Sequence, residues 1–137
     1  MASDCDIVVT NGYPIENQPL KGVWPGNVSL KDGGILVLIA QSMEGNAHHY
    51  LGGRFGTDFG GNLWGPPSKP LAQKAKQLLC LSPCLSKVDL DFLGPAGSVL
   101  SCKTWADVVM HLLRIYPSVA RVAIYPYAAI QMPARSA

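Results

Sequence analysis

The chain has 137 residues, enough for one domain with a sizeable core. Hydrophobic residues make up 48% and charged residues 15%, against about 25% charged in a typical globular chain, which excludes intrinsic disorder and a charged coiled coil. Eleven Lys and Arg against nine Asp and Glu leave a net +2, with no dense basic face for a nucleic acid.

Residues 6–10 (DIVVT) read as a buried strand, which Asn11-Gly12-Tyr13-Pro14 then breaks. Pro19 and Pro25 interrupt residues 15–30, so the expectation there is at most a short helical turn near Leu20 to Val23. Lys31-Asp32-Gly33-Gly34 reads as a turn. Residues 35–40 (ILVLIA) are apolar without alternation, the pattern of a strand buried on both faces of a parallel sheet. Residues 41–70 carry little regular pattern and hold glycines 45, 52, 53, 56, 60, 61 and 65 with prolines 66, 67 and 70. A connection this long inside a compact domain is usually functional, and its 52–66 portion is expected to pack poorly on its own domain.

Residues 77–81 (QLLCL) form a third strand. Ser86 to Leu93 reads as a short helix, with Ser86 as N-cap and Asp89 closing a capping box. Residues 98–102 (SVLSC) form a fourth strand. Thr104 then caps the most regular helix, Trp105 to Tyr116, with Val108, Val109, Leu112 and Leu113 at helical spacing. Residues 121–125 (RVAIY) form a fifth strand, followed by an irregular Pro-containing tail. This alternation predicts a single α/β domain over residues 1–137. Its architecture is a three-layer, Rossmann-like fold with a mostly parallel sheet of about five strands. Thirteen residues should lie mostly buried in that sheet: Ile7, Val8, Val9, Ile35, Leu36, Val37, Leu38, Leu78, Leu79, Val99, Leu100, Val122 and Ile124.

No run approaches the roughly 18 apolar residues of a membrane span, and the opening MASDCD has no signal-peptide pattern. Cys5, Cys80, Cys84 and Cys102 therefore read as reduced thiols of a cytoplasmic protein. No second Cys/His pair joins Cys80 and Cys84 in a zinc pattern. So little charge on a small surface points to a face covered by another domain or subunit, which leaves room for a homo-oligomer.

Ligands in such folds collect beyond the carboxyl ends of the strands. The Gly52 to Gly61 run lacks both the dinucleotide and the Walker spacing and reads as a docking loop. His48 and His49 lie beyond the second strand, with no third metal ligand nearby. One of the two, His48 or His49, suits a polar substrate contact or acid/base group, though a surface or interdomain histidine is the commoner outcome for such a pair. His111, inside the last helix, reads as structural. Gln18 and Lys21, spaced i, i+3 after the first strand, offer an amide and an ammonium to a small anion; taken alone, an exposed Gln and Lys also fit ordinary solvated side chains.

The stretch DIVVTNGYPIENQPLKG followed by LKDGGILVLIAQSMEG resembles the C-terminal domain of the nickel-pincer-dependent lactate racemase family. KQLLCLSPCLSKVDLDFLGPAGSVLSCKTWADVV and RVAIYPYAAIQ extend the resemblance to residues 5–131. The family's activity, interconversion of 2-hydroxy acid enantiomers by hydride removal and return at C2, is what the resemblance implies. It implies a glutamine and a lysine that bind substrate, matching Gln18 and Lys21, and a tryptophan in the long connection, matching Trp64. Tyr13, in the Gly-Tyr-Pro turn, and His49 complete the expected substrate-binding set. The family's nickel pincer nucleotide is held by an N-terminal domain, whose lysine and histidine have no counterparts here. The expectation is a substrate-side domain, inactive without a cofactor-binding partner domain or subunit. The contrasting expectation is a stand-alone, non-catalytic domain that binds a partner or a small anion.

Overall fold

The computed structural model describes residues 2–15, 17–43 and 71–131, apart from three side chains within its helices. Five strands, β1 (Cys5–Asn11), β2 (Leu30–Ile39), β3 (Ala75–Leu81), β4 (Val99–Cys102) and β5 (Val122–Tyr125), form one sheet in the order β4-β3-β2-β1-β5. Every pairing is parallel. Between them lie a 3-10 helix (Pro19–Gly22) and three α-helices, α1 (Val23–Ser29), α2 (Lys87–Leu93) and α3 (Trp105–Ile115). The α/β, Rossmann-like layering expected from the sequence is thus the one observed.

Alternation along each strand divides the core in two. Val8, Leu36, Leu38, Leu78 and Ala123 meet Val23 of α1 and Leu93 of α2 on one face. Ile7, Val9, Ile35, Val37 and Leu79 meet Val108 of α3 on the other. The central strand β2 is buried on both faces from Gly34 to Leu38, as its unbroken apolarity demands. Full burial of each such Leu or Ile contributes about 1.5–3 kcal/mol. The chain steps β1, β2, β3, β4 in one direction, then returns through α3 across the opposite face to place β5 beside β1. Right-handed crossovers require that change of face when the direction reverses.

Both expected caps are present. Ser86 Oγ accepts from Asp89 N–H while the Asp89 carboxylate accepts from Ser86 N–H. Thr104 and Asp107 repeat the arrangement at α3.

Three expectations need correction. Pro25 does not exclude a helix: it is the third residue of α1, where its missing N–H is one that no helical carbonyl could reach. Lys31 to Gly34 is no turn but the start of β2, where a register shift before Ile35 and a positive φ of 77° at Gly33 absorb the two glycines as an irregularity. Val122 and Ile124 are 48% and 68% exposed rather than buried. They point away from α1 on an edge strand that α3 does not cover. Val99 and Leu100, on the opposite edge, are half-buried. Within the described residues no helix is long and apolar enough to cross a membrane.

Candidate functional site

The reversal of strand order falls between β1 and β5, and the crevice beyond their carboxyl ends is where ligands bind in open parallel sheets. Three segments meet there. After β1, Gly12 N–H bonds Ile39 C=O at 2.9 Å, and Asn11 Oδ1 accepts from Tyr13 N–H at 3.1 Å. The Tyr13–Pro14 peptide is cis. Successive i, i+3 backbone bonds then lead from Ile15 to Gly12, from Gln18 to Ile15 and from Lys21 to Gln18. In such 3-10 turns residues i and i+3 eclipse, so Gln18 and Lys21 stand on one side. Gln18 is half-buried and Lys21 exposed, with no described side chain bonded to its ammonium.

Gly22 fixes this turn against the strand ends. A Cβ there would lie 3.1 Å from Leu38 Cδ1, 3.5 Å from Ala128 Cβ and 3.6 Å from Thr10 Oγ1. The segment after β5 completes the crevice. Ala128 N–H bonds Asn11 C=O, and Gln131 folds back so that its amide oxygen accepts from Tyr127 N–H. The Tyr13 and Tyr127 rings meet with centroids 5.9 Å apart at 54°, each half exposed. Beneath them Tyr125 and Ser29 share a hydroxyl–hydroxyl bond that ties β5 to α1. Among the described residues the site thus offers an ammonium, an amide and an aromatic wall, a set suited to a small carboxylate carrying an apolar or hydroxyl-bearing remainder.

Of the residues expected to bind substrate, Tyr13, Gln18 and Lys21 come to this one edge. Trp64 and His49 lie outside the described residues, as does the 52–66 stretch. Sequence reasoning missed Tyr127. Its signal was present in Tyr125-Pro126-Tyr127, an aromatic pair at a strand's carboxyl end.

The rest of that edge carries different chemistry. Lys103 Nζ donates to the carbonyls of Ser82 and Pro83, each at 3.4 Å. The Cys84 thiol lies 3.4 Å from Met43 Sδ. Burial pushes the Cys80 thiol up to about 12 and raises Cys102 as well, so both stay protonated and unreactive. His111 Nε2 bonds Gln77 Oε1 at 2.8 Å, a structural role as expected. At the opposite, amino edge Lys31 pairs with Asp6, whose carboxyl is held below its usual range by that ammonium and by Arg121 N–H. Among the described residues no group of three His, Cys, Asp or Glu side chains converges to hold a metal.

These features define an open parallel α/β domain with a switch-point crevice. No family model matches the sequence, and no curated protein matches it. The fold is similar to that of the lactate racemase apoprotein from Thermoanaerobacterium thermosaccharolyticum. The TM-score is 0.61 at 17% identity, over 93% of this chain and 35% of that one. The chain therefore spans about a third of that protein's length, and at this identity the likeness is one of fold.

Proposed function

We propose that this chain is the substrate-side domain of a 2-hydroxyacid racemase or epimerase of the lactate racemase type. The observation that supports it most is the convergence of Gln18 and Lys21 on the switch-point crevice of a fold shared with lactate racemase. The Lys21 ammonium binds the substrate carboxylate, Gln18 donates to the carboxylate or the 2-hydroxyl, and Tyr13 with Tyr127 walls the crevice. The reading assigns the cofactor, with its hydride chemistry at C2, to a partner domain or subunit facing this edge. Alone, the domain binds weakly and does not turn substrate over.

The test is reconstitution with a cofactor-loaded half of a lactate racemase-like protein. A charge-assisted contact is worth about 1.5–3 kcal/mol. Lys21→Ala should therefore weaken substrate binding about tenfold to a hundredfold. Lys31→Ala, at the amino edge, should leave it unchanged. Equal effects of the two substitutions would remove the assignment. Binding without turnover in every reconstitution would favour a stand-alone anion-binding domain.

A further inference from the structure

Two tyrosines stand at the carboxyl edge, and the backbone under both is tied to one residue, Asn11. Its Oδ1 accepts from Tyr13 N–H at 3.1 Å, and its C=O accepts from Ala128 N–H at 3.0 Å. The turn that carries Tyr127 is closed again by its own chain. Ile130 and Gln131 N–H both donate to Tyr127 C=O at 3.0 Å, and Gln131 Oε1 accepts from Tyr127 N–H at 3.3 Å. Both rings therefore rise from backbone that is held without a ligand, which leaves little ordering entropy to lose on binding. The rings meet at 5.9 Å and 54°, between the offset-stacked and edge-to-face arrangements that aromatic pairs favour. Each nevertheless stays 50% exposed. The backbone bonds already fasten the two segments, so the ring contact is not needed to lock the fold.

The ammonium that would hold a carboxylate is a near neighbour of this pair. A Cβ on Gly22 would lie 3.5 Å from Ala128 Cβ. Lys21 and Tyr127 adjoin that contact, each about 3.8 Å from it along the chain. One small molecule can span both, with its anionic head on Lys21 and a flat apolar body on the rings. A methyl substituent would remove little of two half-exposed rings from water. A phenyl ring removes far more, and adds face and edge contacts of the kind the two tyrosines make with each other. We infer that the Tyr13–Tyr127 pair is an aryl subsite, so that the hydroxy acid taken at this edge carries an aromatic substituent on C2 or C3 in place of a bare methyl group. The inference rests on the function proposed above and narrows its substrate class.

The test is a titration of the intact, 15N-labelled chain with lactate and with 2-hydroxy-3-phenylpropanoate, followed by amide chemical shifts. The phenyl compound should bind roughly ten- to a hundredfold more tightly. Tyr127→Ala, with unchanged circular dichroism, should bring the ratio of the two Kd values to about one, and Tyr127→Phe should preserve it. Lys21→Ala should weaken both ligands by a similar factor and leave the ratio in place. Equal affinity of the native chain for the two ligands overturns the aryl subsite, as does a preference that survives Tyr127→Ala; affinity that still depends on Lys21 would then leave the proposed function standing. A Tyr127-dependent preference with no dependence on Lys21 strikes the hydroxy-acid reading and keeps the aryl subsite. No saturable shift from either ligand overturns both.

Discussion

Gly26 sits where α1 crosses β2 most closely, and replacing it with alanine sets two opposing effects against each other. In an exposed helix interior Gly→Ala stabilises by roughly 0.5–1 kcal/mol, through lost unfolded-state entropy. Here the added Cβ would lie 2.5 Å from Leu36 Cδ1 and 3.1 Å from Leu36 Cδ2. Leu36 is fully buried in the central strand, enclosed by Val8, Val23 and Leu78 in the same core cluster, so its methyls have little room to retreat. Overpacking of this kind costs about 1–3 kcal/mol. The clash outweighs the propensity gain, and Gly26→Ala should destabilise the fold by about 1–2 kcal/mol. Urea denaturation followed by circular dichroism would show this as a lower midpoint at unchanged slope. The cause can be isolated by repeating the substitution with Leu36→Val, which withdraws the clashing methyl. In that background Gly26→Ala should become neutral or stabilising, a coupling of about 1–2 kcal/mol between the two sites. If Gly26→Ala raised the stability of the otherwise native chain by the full propensity gain, the close packing of α1 on β2 described above would be wrong.

Three further outcomes are expected. Thr104→Ala removes the side-chain cap of α3 and should lower stability by about 1 kcal/mol in the same assay. The Asp6 and Asp107 carboxyls are both held below the ordinary value of 3.8, by Lys31 and by the Thr104 backbone N–H respectively. Depressed values mean that their contribution is complete at neutral pH and is lost as pH falls below about 4 towards the folded values; Asp107→Asn should flatten that acid limb in a pH series of unfolding midpoints. Thiol labelling read by mass spectrometry should modify Cys84 first and leave buried Cys80, whose thiol sits at about 12, unmodified until the chain unfolds.

The elements most visible in the sequence were those whose local chemistry and tertiary role coincide. The run Ile35 to Ala40 has one physical solution, a strand covered on both sides. Ser86 with Asp89 and Thr104 with Asp107 satisfy orphan helix N–H groups in any context. The misread elements were those decided by neighbours. Pro25 is tolerated because of its place in the first turn of α1. Lys31 to Gly34 stays in the ladder because Gly33 N–H finds Lys74 C=O at 2.8 Å, a partner that no local pattern reveals. Val122 and Ile124 look like Val8 and Leu36 in sequence, yet an edge position with no helix above exposes them. Gln18 and Lys21 could be picked out by their spacing and by resemblance. Tyr127 was visible as one of an aromatic pair at a strand end, but nothing local joins it to Tyr13.

That last pairing bears on how the crevice comes into being. Arg121 N–H donates to Asp6 Oδ2 across 115 positions, and within the sheet β5 pairs with β1 alone. Joining such distant segments closes a very long loop, whose entropy must be met before its contacts give any return. Four strands and their helices can assemble by stepwise addition of neighbours, while the fifth arrives from the far edge after α3 has crossed the sheet. Loop-closure entropy therefore leads us to expect the wall carrying Tyr13 and Lys21 to form before the Tyr127 wall. A chain caught before the second wall forms would have most of its core and only half of a binding site, so ligand affinity at this edge would report on completion of folding rather than on its onset.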